Sequence, residues 1–312
     1  MGHSDGLAGK DRLKSLSFGT FLALDRVGVH LLPKHYYTPV ADRSWLRRRR
    51  SLWQRPVPMD TLTHWNLDEQ LRWLDGICAP YRAEIHGESG LGIGPGYGAI
   101  EAQILYSFVR AAAPARVVEV GGGTSTSIIC RAAERNAGEG RTAAHVTAVE
   151  PSPAPELERL PRTELVRSAC QELEPAFFSD RLSAGDLLFI DSSHAVKTGS
   201  EVPFLYLRVF PSLPPGVIVH VHDVFLPYLY RPTVLHEYFD WQETTLLAAL
   251  LAGNDRLDVL CCSSALHHER QSRLREILPD YRPAAMDGGL IAGAEFTTGH
   301  YPTSFWMQTA HG

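Results

Sequence analysis

Two short motifs carry the residue types that could do chemistry, and each follows an apolar run. Asp191-Ser-Ser-His194 follows one run, and His220-Val-His-Asp223 contains the end of another. The carboxyl ends of neighbouring parallel strands meet at one edge of a sheet, so Asp191, His194, His222 and Asp223 are expected to converge there. Such a cluster offers carboxylates for cation or proton binding and imidazoles for acid–base catalysis.

The same cluster leaves a metal site and a metal-free site both open. Asp191, His222 and Asp223 have donor atoms that bind divalent cations, and His194 would then remain as a base. His220 lies two residues before His222 and shares its face of the strand. We expect His220 to be a core histidine.

A glycine loop, Glu119-Val-Gly-Gly-Gly-Thr-Ser125, connects a predicted strand to a predicted helix. Glycines allow a tight turn and close approach of a ligand to the backbone. The dinucleotide fingerprint G-x-G-x-x-G would need glycine at position 126, where this chain has Thr126. An acid at position 119 favours a cationic ligand, such as one with an amine or a sulfonium.

A second acid, Glu150, ends the next predicted strand. In a doubly wound sheet a carboxylate at this position lies beside the loop and can accept hydrogen bonds from both hydroxyls of a ribose. Together, Glu119, the glycines and Glu150 predict a nucleoside-binding site.

The run from Val117 to Ser125, followed by Val149-Glu150, resembles the S-adenosylmethionine site of class I methyltransferases. The resemblance covers roughly residues 95–310. It implies that Glu119 and Gly121 hold the methionine end and that Glu150 holds the ribose. The implied cofactor-binding set from these motifs is Glu119, Gly121, Gly122, Gly123, Ser125 and Glu150.

The D-x-x-H motif and the acid after the fifth strand resemble a narrower group, the metal-dependent O-methyltransferases that modify macrolide sugars. That resemblance implies magnesium at Asp191 and Asp223 and a proton-accepting role for His194. This chain departs from the group because His222 stands where an acid is expected. The departure leaves the divalent metal open, whereas S-adenosylmethionine is the expected cofactor.

Short apolar runs alternate with helical stretches and so predict the elements that position these residues. The fold class is α/β, a doubly wound, mostly parallel, seven-stranded Rossmann-like sheet with an N-terminal helical cap. We predict a cap over residues 1–94 and a catalytic domain over 95–312. After the fifth strand we expect one long helix, Pro232–Ala252, and at the end an edge strand, Thr303–Gln308.

The predicted cap supplies aromatic and basic residues. Tyr36 and Tyr37 are candidates to close over the cofactor, exclude water and face a sulfonium through cation–π attraction. Tyr97, just after the cap, is a candidate wall of the same pocket. Packing against the sheet is the alternative. Gly90–Gly96 is expected to form a turn, and Arg47–Arg50 forms either an anion contact or a solvated helix face.

Composition narrows the class of protein. The chain has 312 residues, 44% of them hydrophobic and 21% charged, with a net charge of −5. These values exclude a disordered or fibrous protein, and no apolar stretch is long enough to cross a membrane. We expect a cytoplasmic protein without nucleic-acid partners, acting on a small molecule, with a homodimer as the commonest assembly.

The leading hypothesis is methyl transfer from S-adenosylmethionine to an oxygen or nitrogen of a small molecule in secondary metabolism. A second enzyme hypothesis is cyclisation or lyase chemistry in the same pocket, such as azetidine formation with release of methylthioadenosine. A third is a non-catalytic nucleoside-binding protein that docks on an acidic partner through its basic segment.

Overall fold

The structure is a computed structural model that describes residues 18–32, 35, 37–87, 97–292 and 299–310. It divides into two compact units, residues 1–48 and 49–312. In the first unit, residues 18–25 are helical, and a short helix α1 covers Arg43–Arg48. The expected turn at Gly90–Gly96 lies outside the described residues. None of the described helices combines the length and apolarity needed to cross a membrane.

The second unit alternates strands and helices as the sequence predicts. Its helices include α2 Arg50–Trp53, α3 Leu67–Cys78, α4 Arg82–Gly87, α5 Ala99–Ala112, α6 Thr124–Gly138, α7 Pro175–Ser179, α8 Glu201–Phe204, α9 Glu243–Leu251, α10 Ser263–Glu269 and α11 Gln271–Ile277. Its strands include β1 Arg116–Val120, β2 His145–Val149, β3 Thr163–Val166, β4 Leu187–Ile190, β5 Ile218–Val221, β6 Leu257–Cys262, β7 Met286–Asp287, β8 Leu290–Ile291 and β9 Phe305–Thr309.

Helix α3 shows how local sequence sets these elements. Its N-cap, Asn66, accepts hydrogen bonds from the backbone N–H groups of Asp68 and Glu69, at 3.0 and 3.2 Å. Ser, Thr, Asp and Asn are favoured at this position because they satisfy N–H groups that the first turn leaves free. Leu67, Leu71, Leu74 and Cys78 recur at helical spacing and are buried, so the helix packs one apolar face on the core.

Seven strands form one sheet in the order β3-β2-β1-β4-β5-β9-β6, with β9 antiparallel to both neighbours. The prediction of a doubly wound, mostly parallel, seven-stranded sheet is confirmed. Strand order reverses between β1 and β4, which is where open α/β sheets bind their ligands.

Strand register aligns the first residue after each of four strands. Val120 pairs with Val149 and with Ile190, and Ile190 pairs with Val221. The residues that follow these partners therefore form one row along the carboxyl edge of the sheet: Gly121, Glu150, Asp191 and His222. All four belong to the predicted site set.

The last strand is not at the edge, and that expectation is wrong. Strand β9 lies between β5 and β6, so β6 is the edge on this side. Phe305, Trp306 and Met307 are each fully buried. Consecutive buried apolar residues are typical of a strand covered on both faces.

The expected long helix Pro232–Ala252 is also wrong, since only Glu243–Leu251 is helical. Residues 231–242 form turns instead. The backbone N–H groups of Gln242 and Glu243 donate to the carbonyl oxygen of His194, at 3.1 and 3.2 Å. This contact with His194, which follows β4, fixes the start of α9. Residues of the preceding segment line a pocket that is described below.

Candidate active site

The glycine loop after β1 is pressed against the exit of β4. Gly121 has φ +88°, a conformation that favours glycine. A Cβ atom at this position would lie 1.8 Å from the carbonyl oxygen of Asp191. The N–H of Gly121 donates to Val149 at 3.1 Å, and the N–H of Asp191 donates to Val120 at 2.9 Å. A side chain at position 121 therefore cannot be accommodated without moving the backbone.

Glu119 lies beneath this loop and is fully buried. Its two carboxylate oxygens accept hydrogen bonds from Ser125 Oγ at 2.5 Å and Thr126 Oγ1 at 2.6 Å. Burial raises the pKa of Glu119 to about 7, although the two hydroxyl hydrogen bonds oppose that shift. The carboxylate ties β1 to the start of α6, and a direct contact with a cationic ligand stays a prediction.

The loop forms one side of a pocket of about 240 Å³, which we call the glycine-loop pocket. Glu150 stands in its wall, and one carboxylate oxygen accepts from the N–H of Ser152 at 2.8 Å. Glu119 is not part of this wall. The lining consists of Tyr97, Gly121, Gly122, Gly123, Thr124, Ser125, Glu150 and Asp191.

Tyr97 is buried in the same wall, as the sequence predicted for a pocket residue. Its ring packs on His222, with centroids 4.7 Å apart, and on Phe189, at 6.1 Å. Its hydroxyl is buried and has no hydrogen-bond partner among the described residues. An unpaired buried hydroxyl costs roughly 1–3 kcal/mol, so this group fits a ligand atom in the pocket.

Asp191, His194 and Asp223 converge as expected. His194 Nε2 lies 3.5 Å from Asp191 Oδ1 and 3.7 Å from Asp223 Oδ2. His194 and Asp223 have φ values of 58° and 56°, which are unusual for residues other than glycine. Strained backbone of this kind clusters at functional sites, where the surrounding contacts hold it in place.

Residues at the start of α9 contact the Nδ1 atom and the ring of His194. Glu243 Oε2 lies 2.8 Å from His194 Nδ1, and the Glu243 side chain is buried. The Trp241 ring packs on the imidazole, with centroids 4.3 Å apart. These contacts aim the other ring nitrogen, Nε2, at the carboxylates of Asp191 and Asp223.

The carboxylates around His194 determine its charge. Burial alone would lower the pKa of His194, but the hydrogen bonds to Asp191 and Glu243 and the nearby charge of Asp223 raise it to about 10. The surrounding carboxylates therefore favour the protonated form of the ring. The role expected for His194 as a base stays a prediction.

The expected metal ligands do not form a metal site in this arrangement. His222 Nε2 lies 3.9 Å from Asp223 Oδ1, and the imidazole of His194 stands between the carboxylates of Asp191 and Asp223. Across the part of the chain that the structure describes, no group of three or more His, Cys, Asp or Glu could hold a metal ion. We therefore derive no step through a metal.

A second cavity of about 420 Å³, the Asp223 pocket, is lined by Asp223 and His222 of this cluster. Asp223 Oδ1 accepts from Thr303 Oγ1 at 2.9 Å, and the N–H of Thr303 donates to Glu101 Oε1 at 2.8 Å. The walls consist of Gly98, Ala99, Glu101, His222, Asp223, Phe225, Arg231, Pro232, Thr233, Trp241, Ile291, Gly299, His300, Tyr301 and Thr303.

Sequence reasoning missed Glu243, Trp241 and Thr303, which hold the cluster. Glu243 gave no signal because the expected long helix placed it in mid-helix. Thr303 is 80 residues from Asp223 in the sequence. A tryptophan and an arginine close to a predicted active-site acid were the available signals for Trp241 and Arg231.

His220 is a core residue, as predicted. It is fully buried, and its ring stacks on Phe189 with centroids 4.4 Å apart. Neither ring nitrogen has a hydrogen-bond partner among the described residues. Burial holds its pKa well below the ordinary value, so the ring stays neutral.

The remaining predicted residues lie in the N-terminal part of the chain. Tyr36 lies outside the described residues, and Tyr37 is 80% exposed within the first unit. Of the Arg47–Arg50 run, Arg50 belongs to the second unit, where its guanidinium pairs with Asp287 at 2.8 Å. Roles for Tyr36 and Tyr37 in cofactor binding stay predictions.

The described geometry combines a glycine loop at the switch point of a doubly wound α/β sheet with an acidic cluster beside it. Residues 118–224 match the family described as a methyltransferase domain. The predicted resemblance to class I methyltransferases is confirmed for this segment.

Solved structures with related folds show only distant similarity. The O-methyltransferase TomG from Streptomyces achromogenes, solved with S-adenosylmethionine and involved in tomaymycin synthesis, is 15% identical, with a TM-score of 0.41. That comparison covers 77% of this chain and 90% of TomG. The Podospora anserina methyltransferase PaMTH1, solved with S-adenosylhomocysteine, is 14% identical, covers 91% and 100% of the two chains and has a TM-score of 0.38. No curated protein matches the chain significantly.

Proposed function

We propose that the protein transfers a methyl group from S-adenosylmethionine to an oxygen or nitrogen of a small molecule. The observation that carries this proposal is that two pockets are each lined by a carboxylate of one acidic cluster. Asp191 lines the glycine-loop pocket, Asp223 lines the second pocket, and His194 lies near both carboxylates. Group transfer requires a donor site and an acceptor site that lie close together, and the carboxylates of the two pockets both lie near His194.

The residues that line the glycine-loop pocket support S-adenosylmethionine as its ligand. The space that a Cβ of Gly121 would fill is closed by the backbone of Asp191, so the loop presents its own backbone to a ligand. Glu150 is placed to accept from ribose hydroxyls, and the unpaired hydroxyl of Tyr97 offers a further hydrogen bond. Asp191 in the wall favours a cationic ligand over a pyrophosphate.

Bound S-adenosylmethionine supplies an electrophilic methyl group on its sulfonium. The protein contributes positioning, because a well-oriented pair of reactants reacts as if at very high effective concentration. The carboxylate of Asp223 accepts the proton that the acceptor hydroxyl or amine loses on methylation. This carboxylate borders the acceptor pocket and is oriented by Thr303. His194 orients Asp191 and Asp223 and neutralises part of their charge.

Incubation of the full chain with methyl-labelled S-adenosylmethionine and a panel of phenols, alcohols and amines tests this function. The expected products are S-adenosylhomocysteine and a labelled acceptor. Methylthioadenosine formed without any acceptor would instead establish the cyclisation or lyase alternative. Cofactor that neither binds nor reacts would rule out both.

The variant Asp223→Asn tests the proton step. We expect turnover to fall about 100-fold, within the range that general acid–base catalysis contributes, while S-adenosylhomocysteine binds within threefold of wild type. Asp258→Asn, at an exposed position of β6, is the matched control and should retain turnover. Equal turnover in both variants would remove Asp223 from the mechanism.

The boundary between a cap at 1–94 and a catalytic domain at 95–312, the homodimer, the cytoplasmic location and the role in secondary metabolism stay predictions. They do not affect the tests above.

A further inference from the structure

The walls of the Asp223 pocket narrow the class of acceptor, an inference that rests on the proposed methyl transfer. We propose that the pocket takes an aromatic acceptor with an anionic substituent such as a carboxylate, which Arg231 binds. The acceptor hydroxyl or amine would then face Asp223. Arg231 is thus a specificity-determining residue rather than a catalytic one.

Arg231 is held in the wall in an orientation that leaves donors available. Its guanidinium carbon lies 3.8 Å from the centroid of the Trp241 ring, so one face is stacked on the indole. One terminal nitrogen pairs with Glu237. A guanidinium has five N–H donors in one plane, and its edge matches the two oxygens of a carboxylate. Stacking fixes that plane before a ligand arrives.

Charge is divided between two parts of the pocket wall. Glu101 and Asp223 supply acidic groups at one part, and Arg231 supplies a permanent positive charge at another. The hydroxyl oxygen of Thr233, also in this wall, is buried and has no hydrogen-bond partner among the described residues. A cation and an available hydroxyl in one wall favour an anionic group, and the acidic part favours a hydroxyl or an amine.

The apolar part of the wall is aromatic. Phe225 lies nearly parallel to Tyr301, with an interplanar angle of 4° and centroids 6.5 Å apart, and at 23° to Trp241 with centroids 6.3 Å apart. The Tyr301 hydroxyl is engaged by Ser264 at 2.7 Å, so Tyr301 contributes mainly its ring to the pocket. Flat aromatic walls stabilise a flat aromatic ligand through stacking and area burial.

Paired ligands test the anionic requirement directly. With S-adenosylhomocysteine present, calorimetry would measure the Kd of hydroxybenzoic and hydroxyphenylacetic acids and of the corresponding neutral amides. We expect at least one acid to bind tenfold or more tightly than its amide, the scale of a charge-assisted hydrogen-bond pair. Acids that bind no better than amides, or that do not bind at all to protein that binds S-adenosylhomocysteine, would overturn the proposal.

Variants assign the preference to Arg231. Arg231→Met should abolish the preference for the acid, Arg231→Lys should retain part of it, and Glu237→Gln should strengthen it by releasing the guanidinium. Arg256→Met, at an exposed arginine that does not line this pocket, should leave the preference for the acid unchanged. A preference for the acid that survives Arg231→Met would overturn the assignment. If Arg231→Met does not fold, Glu237→Gln tests the assignment instead, and an unchanged preference in Glu237→Gln would overturn it. If the wild-type chain does not bind S-adenosylhomocysteine, the proposed function itself is refuted.

Discussion

The two halves of the candidate site are held together in different ways. In the glycine loop, Glu119 holds Ser125 and Thr126, and Thr126 holds Gly123, all within seven residues of one another. In the acidic cluster, His194 is held by Glu243, 49 residues away, and Asp223 by Thr303, 80 residues away. The cofactor end is therefore a local structure, whereas the reacting end depends on the completed fold.

The largest effect is expected from a change within the local half. Gly121→Ala combines a positive φ with a Cβ 1.8 Å from the Asp191 carbonyl, so the loop must move away from β4. We expect S-adenosylhomocysteine binding to weaken at least 100-fold and the free energy of unfolding to fall by about 2–4 kcal/mol. Calorimetry and thermal denaturation measure the two effects.

Gly123→Ala is the control for that change. A Cβ at position 123 meets nothing within 4 Å, and the residue has extended φ. The free energy of unfolding should stay within about 0.5 kcal/mol of wild type. Similar losses in both variants would show that the loop requires glycine for flexibility rather than for the contact with β4.

The second prediction tests the long-range half. Glu243→Gln removes the anion that orients His194, so the aim of Nε2 at Asp191 and Asp223 is lost. We expect kcat to fall about 10–100-fold while KM for S-adenosylmethionine changes less than threefold, and Glu243→Asp should restore part of kcat. Glu269→Gln, at an exposed position, is the control. Parallel changes in kcat and KM would indicate a merely structural role for Glu243.

In the glycine loop, the raised pKa of Glu119 makes the stability of the fold depend on pH. Folded Glu119 keeps its proton up to about pH 7, whereas unfolded Glu119 releases it near its ordinary pKa of 4.5. Raising the pH through this window therefore favours unfolding, by on the order of 2–3 kcal/mol from this residue. Glu119→Gln should flatten that part of the profile in chemical denaturation from pH 4.5 to 7.5. An unchanged slope would disagree with the raised pKa.

The smallest effect is expected at Thr303. Thr303→Val removes the hydroxyl that donates to Asp223 but keeps the backbone N–H that donates to Glu101. Turnover should fall about 3–10-fold, the value of one hydrogen bond to a charged group, with cofactor binding unchanged. A loss as large as that of Glu243→Gln would mean that Thr303, rather than α9, dominates the geometry of the cluster.

Much of the fold could be predicted because its signals are local. The apolar runs of β1, β2, β4 and β5 are buried on both faces and stand out from the polar helices between them. The position of β9 could not be read in the same way, since strand order depends on packing between distant segments. The turn-rich segment before α9 was missed because its conformation is set by a contact with His194.

In the candidate site, too, the residues set by local sequence were predictable and those set by long-range contacts were not. Gly121, Glu150 and Asp191 were predictable since each is the first residue after a strand, and parallel register brings such residues together. The charge of His194 was not predictable, because it depends on Glu243, which the sequence places far away. The role expected for His194 as a base stays a prediction.

A calorimetric titration of S-adenosylmethionine into the wild-type chain and into Glu150→Gln tests the central claim most directly. The account predicts one bound molecule per chain and an affinity about 10–100-fold lower in the variant, since a charged acceptor for the ribose hydroxyls is lost. No binding to the wild-type chain, or equal affinity for both proteins, would contradict it.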